Sequence, residues 1–125
     1  MFEGYTPETR QALVTALEEA KALRSGAIGT PHLLLGVIRT LPLLVPLRAD
    51  DVRARLGPGA AGEDAGLPFT EAAKRALEAA PREAQRLGHG RVTPAHLLLA
   101  LAADPEAAEV SSLDPARLRD EALRH

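Results

Sequence analysis

The chain reads as an all-α protein built from two pseudo-symmetric helical repeats packed as one domain, and three observations lead there. First, a segment occurs twice: Tyr5–Val37 returns as Phe69–Leu101 without a gap, at an offset of 64 residues, as from His32 to His96. Identical pairs include Thr6/Thr70, Ala12/Ala76, Leu13/Leu77, Glu19/Glu83, Gly26/Gly90 and the whole run His32-Leu33-Leu34-Leu35/His96-Leu97-Leu98-Leu99. There are 12 such pairs, whereas an Ala- and Leu-rich composition gives roughly three by chance, so the repeat is a true duplication. Second, both copies carry apolar residues at helical spacing. Third, the alternation of apolar and polar residues that marks a half-buried strand is nowhere sustained.

Taking the elements in order, Thr6-Pro7 is a helix start, because the hydroxyl can cap free N–H groups and proline gives up nothing at the first helical position. Leu13, Ala16, Leu17, Ala20 and Leu23 then form one apolar stripe, with Glu18, Glu19 and Lys21 outward, up to a stop at Ser25-Gly26. Thr30-Pro31 repeats the start signal. It opens His32-Leu33-Leu34-Leu35-Gly36-Val37-Ile38, which is apolar nearly all round, as expected of a central, enclosed helix. The second copy follows the same plan from Thr70 and from Thr93-Pro94. Pro81, which replaces Leu17, predicts a kink or break near Ala80, because an interior proline clashes with the Leu77 carbonyl and costs about 3 kcal/mol. Each copy ends in a shorter helix after an acidic residue, Asp50 or Asp114, read as its cap. Residues 1–56 thus form repeat one and residues 69–125 repeat two. Between them, residues 57–68 have no apolar periodicity and read as a flexible surface linker.

Size and charge narrow the function. A chain of 125 residues suits a single core. A formal charge of −2 with mixed signs argues against nucleic-acid binding. The lack of cysteine removes disulfides, zinc thiolates and a cysteine nucleophile. Met1-Phe2-Glu3-Gly4-Tyr5 carries no secretory signature, and the longest apolar run, Leu41–Leu47, is too short to span a bilayer. The expectation is a cytoplasmic chain with no membrane contact.

At Tyr5-Thr6-Pro7-Glu8, Gly29-Thr30-Pro31-His32-Leu33-Leu34-Leu35-Gly36, Glu83-Ala84-Gln85-Arg86-Leu87-Gly88-His89 and His96-Leu97-Leu98-Leu99, the sequence resembles the Clp N-terminal repeat domain. That double-repeat helical module precedes the ATPase rings of Clp/Hsp100 unfoldases such as ClpA and ClpC. The resemblance implies a non-catalytic protein-interaction module that receives substrates or adaptor proteins for a Clp ATPase in protein degradation or quality control. It has no cofactor and no metal, and the sequence contains no Gly-x-x-x-x-Gly-Lys-Ser/Thr phosphate cradle. The other reading is a free-standing regulatory binding protein, with a homodimer as one of its forms.

Several residues compete for a functional role. His32 and His96 sit in the first turns of the enclosed helices without companion carboxylates or thiols at ligand spacing, and read as structural locks rather than metal ligands. His89 and His125 read as solvated. Ser25, Ser111 and Ser112 lack a nucleophile-elbow context, so no hydrolase is expected. In ClpC-like members a Thr at the first helix of each repeat and a Glu just before His-Leu-Leu recognise phosphorylated arginine. Thr6 and Thr70 match the Thr and are assigned as partner contacts, while Pro31 and Ala95 stand where the Glu would be, which removes the guanidinium's carboxylate partner. Leu41, Leu43, Leu44 and Val45, in an apolar run broken by Pro42 and Pro46, complete the expected partner surface; a lid over the core is the competing reading.

Overall fold

The computed structural model describes residues 2–41, 47–62 and 66–125. Among them are seven helices: α1 Pro7–Ala22, α2 Thr30–Ile38, α3 Ala49–Leu56, α4 Glu71–Arg86, α5 Pro94–Ala102, α6 Pro105–Ser111 and α7 Pro115–Leu123. α1 packs chiefly on α2 and α4 on α5, the duplicated pair, while α2 and α5 meet in the middle of the molecule. Leu33, Leu34, Leu35 and Val37 of α2 and Leu97, Leu98 and Leu101 of α5 are buried. This agrees with their apolar surroundings on all sides, and each such leucine contributes about 1.5–3 kcal/mol on leaving water.

The two repeats interlock at their beginnings. Residues just before α1 pair with the loop before α5, through Thr6 N–H to the Val92 carbonyl (3.0 Å) and Val92 N–H to the Gly4 carbonyl (2.9 Å). The duplicated exchange joins the segment before α4 to the loop before α2, with Ile28 N–H to the Pro68 carbonyl (2.8 Å) and Thr70 N–H to the Ile28 carbonyl (3.0 Å). Each forms one parallel β-bridge, Tyr5 to Val92 and Ile28 to Phe69. Every repeat thus supplies backbone partners that the other one needs, which couples their folding.

α1 and α2 approach so closely at Gly36 that a Cβ there would lie 2.1 Å from the Ala12 carbonyl oxygen. Ala100 holds the matching place in α5. The contact therefore separates the two otherwise similar helix pairs.

Two sequence expectations are corrected. α4 continues through Pro81 from Glu71 to Arg86 instead of breaking near Ala80. Proline cannot donate to the Leu77 carbonyl, but the Tyr5 hydroxyl does, at 2.6 Å. The buried phenol thus supplies from the other repeat the donor that proline withholds. Its burial also pushes the Tyr5 pKa up to about 12, which keeps the proton in place. Asp50 is not a cap: Arg48 precedes α3, and Asp50 lies in the first turn, bonded to Arg53 at 2.6 Å. Asp114 does cap α7, accepting from Arg117 N–H at 3.0 Å.

Charged groups tie the outer helices to this core. Glu19, expected on the outer face of α1, is instead buried, because two arginines neutralise it there: it accepts from Arg53 of α3 at 2.6 and 2.8 Å and from Arg39 after α2 at 3.3 Å. The Arg53 hydrogen bond holds its carboxyl below the usual range against the opposing effect of burial, with Arg39 adding to the shift. Thr30, fully buried, donates to Asp104 at 2.6 Å, and Asp104 in turn caps α6 by accepting from Ala107 N–H at 2.9 Å. α2 and α6 are joined there across the repeat boundary.

Candidate functional site

The duplicated histidines build the two most structured polar corners of the molecule. His32 Nδ1 accepts from Gly29 N–H at 2.9 Å, and His96 Nδ1 accepts from Thr93 N–H at 2.8 Å. Each imidazole thus closes the first turn of its helix from the third helical position, the half of a capping box in which the N3 side chain accepts from the N-cap N–H. With Nδ1 an acceptor, the ring proton must sit on Nε2. His32 Nε2 meets Ser25 Oγ at 2.9 Å, so it presents a proton to the serine and cannot act there as a base. His96 Nε2 meets His89 Nδ1 at 2.8 Å. His89 is therefore exposed but partnered, not simply solvated as the sequence suggested. Burial lowers the pKa of both His32 and His96, opposed by Glu19 for the first; His89 lowers that of His96 further, against Glu83.

What lies over the two corners differs. In repeat one the linker seats on the turn after α1: Gly59 N–H donates to the Leu23 carbonyl at 2.7 Å and Ala61 N–H to the Arg24 carbonyl at 3.0 Å. The Arg24 side chain returns a bond to the Ala61 carbonyl at 2.8 Å. The approach is so close that a Cβ on Gly59 would stand 2.2 Å from the Arg24 oxygen. In repeat two the equivalent carbonyls, of Leu87 and Gly88, accept no hydrogen bond among the described residues. The corner there is an open cleft of about 540 Å3 bordered by Leu87, Arg91, His96 and Leu123. Leu87 and Leu123 are two of the three large apolar side chains exposed among the described residues, at 40% and 50%. This cleft was not visible in the sequence, because it depends on where α7 ends relative to the α4–α5 turn.

The expected partner contacts are dispersed. Thr6 and Thr70 both cap helices, accepting from Thr9 N–H at 3.3 Å and Ala73 N–H at 3.1 Å. The Thr6 hydroxyl also lies 2.8 Å from that of Thr9. Pro31 and Ala95, in place of the carboxylates, are both buried. Leu41 is partly buried against the core, and Leu43, Leu44 and Val45 lie outside the described residues. None of Thr6, Thr70 and Leu41 borders the open cleft. Among the described residues no cluster of three or more His, Asp or Glu side chains could hold a metal ion, and no helix is long and apolar enough to cross a membrane.

Two interlocked helical repeats, each with a histidine bonded to its helix's N-cap N–H, define a helical double-repeat module. The sequence match fixes which one: the Clp repeat (R) N-terminal domain family matches residues 52–124, and the chain belongs to that family. Over 140 aligned residues covering 99% of the chain it is 30% identical to the chloroplastic chaperone protein ClpC of Pisum sativum and to ClpC1 of Arabidopsis thaliana. It spans 15% of the length of each of these relatives. In fold it is similar to the N-terminal domain of the caseinolytic protease associated chaperone ClpD from Arabidopsis thaliana, with a TM-score of 0.81, 24% identity and coverage of 99% of this chain and 98% of that one. The Hsp104 N-terminal domain from Candida albicans is also similar, with a TM-score of 0.74, 17% identity and coverage of 97% and 90%.

Proposed function

We propose that this chain is a non-catalytic protein-interaction module that presents substrates or adaptor proteins to a Clp/Hsp100 ATPase. The observation that carries the reading is membership of the Clp repeat family, together with a fold likeness that spans nearly the whole chain. The interior supports a scaffold role: its polar groups are spent on caps and ion pairs, and the one Ser–His contact, Ser25 with His32, carries the wrong tautomer for nucleophile activation. Thr6 and Thr70, half-buried helix caps, and Leu41, partly buried against the core, belong to this reading as partner contacts. His32 and His96 serve as locks that hold the central helices in register.

Affinity capture of the tagged chain from its own lysate, with crosslinking and mass spectrometry, tests this. Enrichment of a Clp ATPase, a protease subunit or one of their adaptors is the expected result. A single unrelated partner, or only further copies of the chain, would replace it with a free-standing regulatory protein.

A further inference from the structure

The repeat offset pairs Ser25 with His89, so the two duplicated helix starts are held by different second groups. In repeat one His32 Nε2 meets a serine hydroxyl, at 2.9 Å. In repeat two His96 Nε2 meets a second imidazole, at His89 Nδ1, 2.8 Å away, with ring centroids 5.0 Å apart. A hydroxyl both donates and accepts, whereas an imidazole nitrogen turns from acceptor to donor when it gains a proton. We propose that the His89–His96 pair is a proton-operated latch: neutral, it ties the turn after α4 to the first turn of α5, and on taking up one proton it releases His89 while the start of α5 stays capped.

Counting protons shows why a bond must break. The donors run one way, from Thr93 N–H to His96 Nδ1 at 2.8 Å and from His96 Nε2–H to His89 Nδ1. A further proton on His89 Nδ1 sets two N–H groups against each other. Placed on His96 Nδ1, it faces the Thr93 N–H instead; Thr93 Oγ1, 3.2 Å away, can accept it there, but the backbone N–H still loses its acceptor. The bond to His89 is the one that yields, because an imidazole turns about its own side-chain bonds, whereas the Thr93 N–H is fixed in the backbone at the start of α5. The surroundings favour the same order. Burial, and then His89, hold the His96 pKa down against Glu83 of α4, and Glu83 is itself paired with Arg86. The other titratable side chains lining the space around the pair are Arg91, from the loop before α5, and His125, after α7. Behind them Glu121 of α7 lies 3.9 Å from His125 and 3.7 Å from Arg124. Repeat one has no such step: with Ser25 as the second group, a proton on the His32 ring must displace the Gly29 cap itself.

The test is nitrogen NMR of the imidazoles in the whole chain, from about pH 8 to about pH 4. At the upper end a scalar coupling across the N–H···N bond is expected between His96 Nε2 and His89 Nδ1, with both rings carrying their proton on Nε2. On acidification the coupling is expected to vanish as His89 becomes doubly protonated, while His96 keeps its Nε2–H form and the Thr93 amide stays bonded to it. His89→Ser, which installs the residue of repeat one, is expected to raise the pH at which His96 titrates, because a neighbouring charge is removed. The His89 backbone N–H donates to the Ala84 carbonyl at 2.8 Å, a bond the variant retains. No coupling at the upper pH, a His96 ring that charges before His89, or loss of the folded spectrum before His89 charges overturns the proposal. So does a coupling that outlasts the charging of His89, or a His96 titration that His89→Ser leaves in place.

Discussion

Repeat one and repeat two share a backbone plan and spend it differently. Repeat one is closed: Gly36 lets α1 sit against α2, Glu19 gathers Arg39 and Arg53, and the linker seals the corner above His32. Repeat two is more open: Ala100 replaces the glycine, the one ion pair of Glu83 among the described residues is with neighbouring Arg86, and the corner above His96 is a cleft. Duplication preserved the residues that fix the helices, namely the Thr caps, the histidine locks and the leucines. Divergence fell on the residues that decide what covers each helix pair. A double repeat can therefore keep one half as framework and leave the other freer of internal contacts.

The strongest way to break this contrast is to exchange the helix contact. Gly36→Ala forces a methyl against the Ala12 backbone and is expected to destabilise by about 3 kcal/mol or more in urea unfolding, since a backbone clash cannot be relieved by a rotamer change. Ala100→Gly, its mirror, is expected to cost about 1 kcal/mol, the ordinary loss for glycine in a helix. Similar losses at both sites would mean that the two helix pairs pack alike.

Next in size is the buried carboxylate. Glu19→Ala leaves Arg53 without its main partner and is expected to cost about 2 kcal/mol, below the usual figure for a fully buried pair because both arginines reach solvent. Glu83→Ala is expected to change stability by less than about 0.5 kcal/mol. Thermal melts of the two variants side by side decide the matter, and a larger loss for Glu83→Ala would reverse the assignment of framework and free half.

The bond between Tyr5 and the proline-orphaned carbonyl gives a smaller but cleaner comparison. Tyr5→Phe is expected to cost about 1–2 kcal/mol, because the Leu77 oxygen then lies buried without a donor. In a Pro81→Leu background the helix supplies its own N–H, and the same substitution is expected to cost less than half as much. A double-mutant cycle showing no coupling between positions 5 and 81 would disprove the compensation.

Acid sharpens the contrast least. Both locking histidines have folded pKa values below the unfolded one, so the unfolded chain binds the proton more readily and stability falls as pH drops through about 6.5 and below. Glu19, also lowered, adds a loss only as pH falls below about 4.5, through its own folded value. Melting temperature between pH 7.5 and 2 is expected to decline in those two stages, with the upper one reduced in His96→Gln. A flat profile from pH 7.5 to 5 would show that neither imidazole is held neutral.

Much of this was legible in the sequence, for identifiable reasons. Thr-Pro starts, the Leu stripes and the offset between His32 and His96 are local or periodic signals, and with Asp114 they placed the starts of α1, α2, α4, α5 and α7 and the enclosed α2 and α5, whereas α3 starts at Ala49 rather than after Asp50. The continuity of α4 was not legible, because the donor that rescues Leu77 comes from Tyr5, in the other repeat. Nor was the Glu19 cluster, assembled from three helices, or the pairing of His89 with His96, which needs the fold of the α4–α5 turn. The open corner is hidden for the same reason: nothing in residues 87–91 or 122–125 alone says that they face one another. The family resemblance named the module, and its Thr positions turned out to be helix caps outside the cleft's lining.

The central claim is that the linker seals the corner of repeat one, while the matching turn of repeat two has no such cover among the described residues. Amide hydrogen exchange tests it most directly. The Gly59 and Ala61 amides are expected to be protected and the Gly90 and Arg91 amides to exchange fast. Fast exchange at Gly59 and Ala61, or equal protection at the two turns, would contradict it.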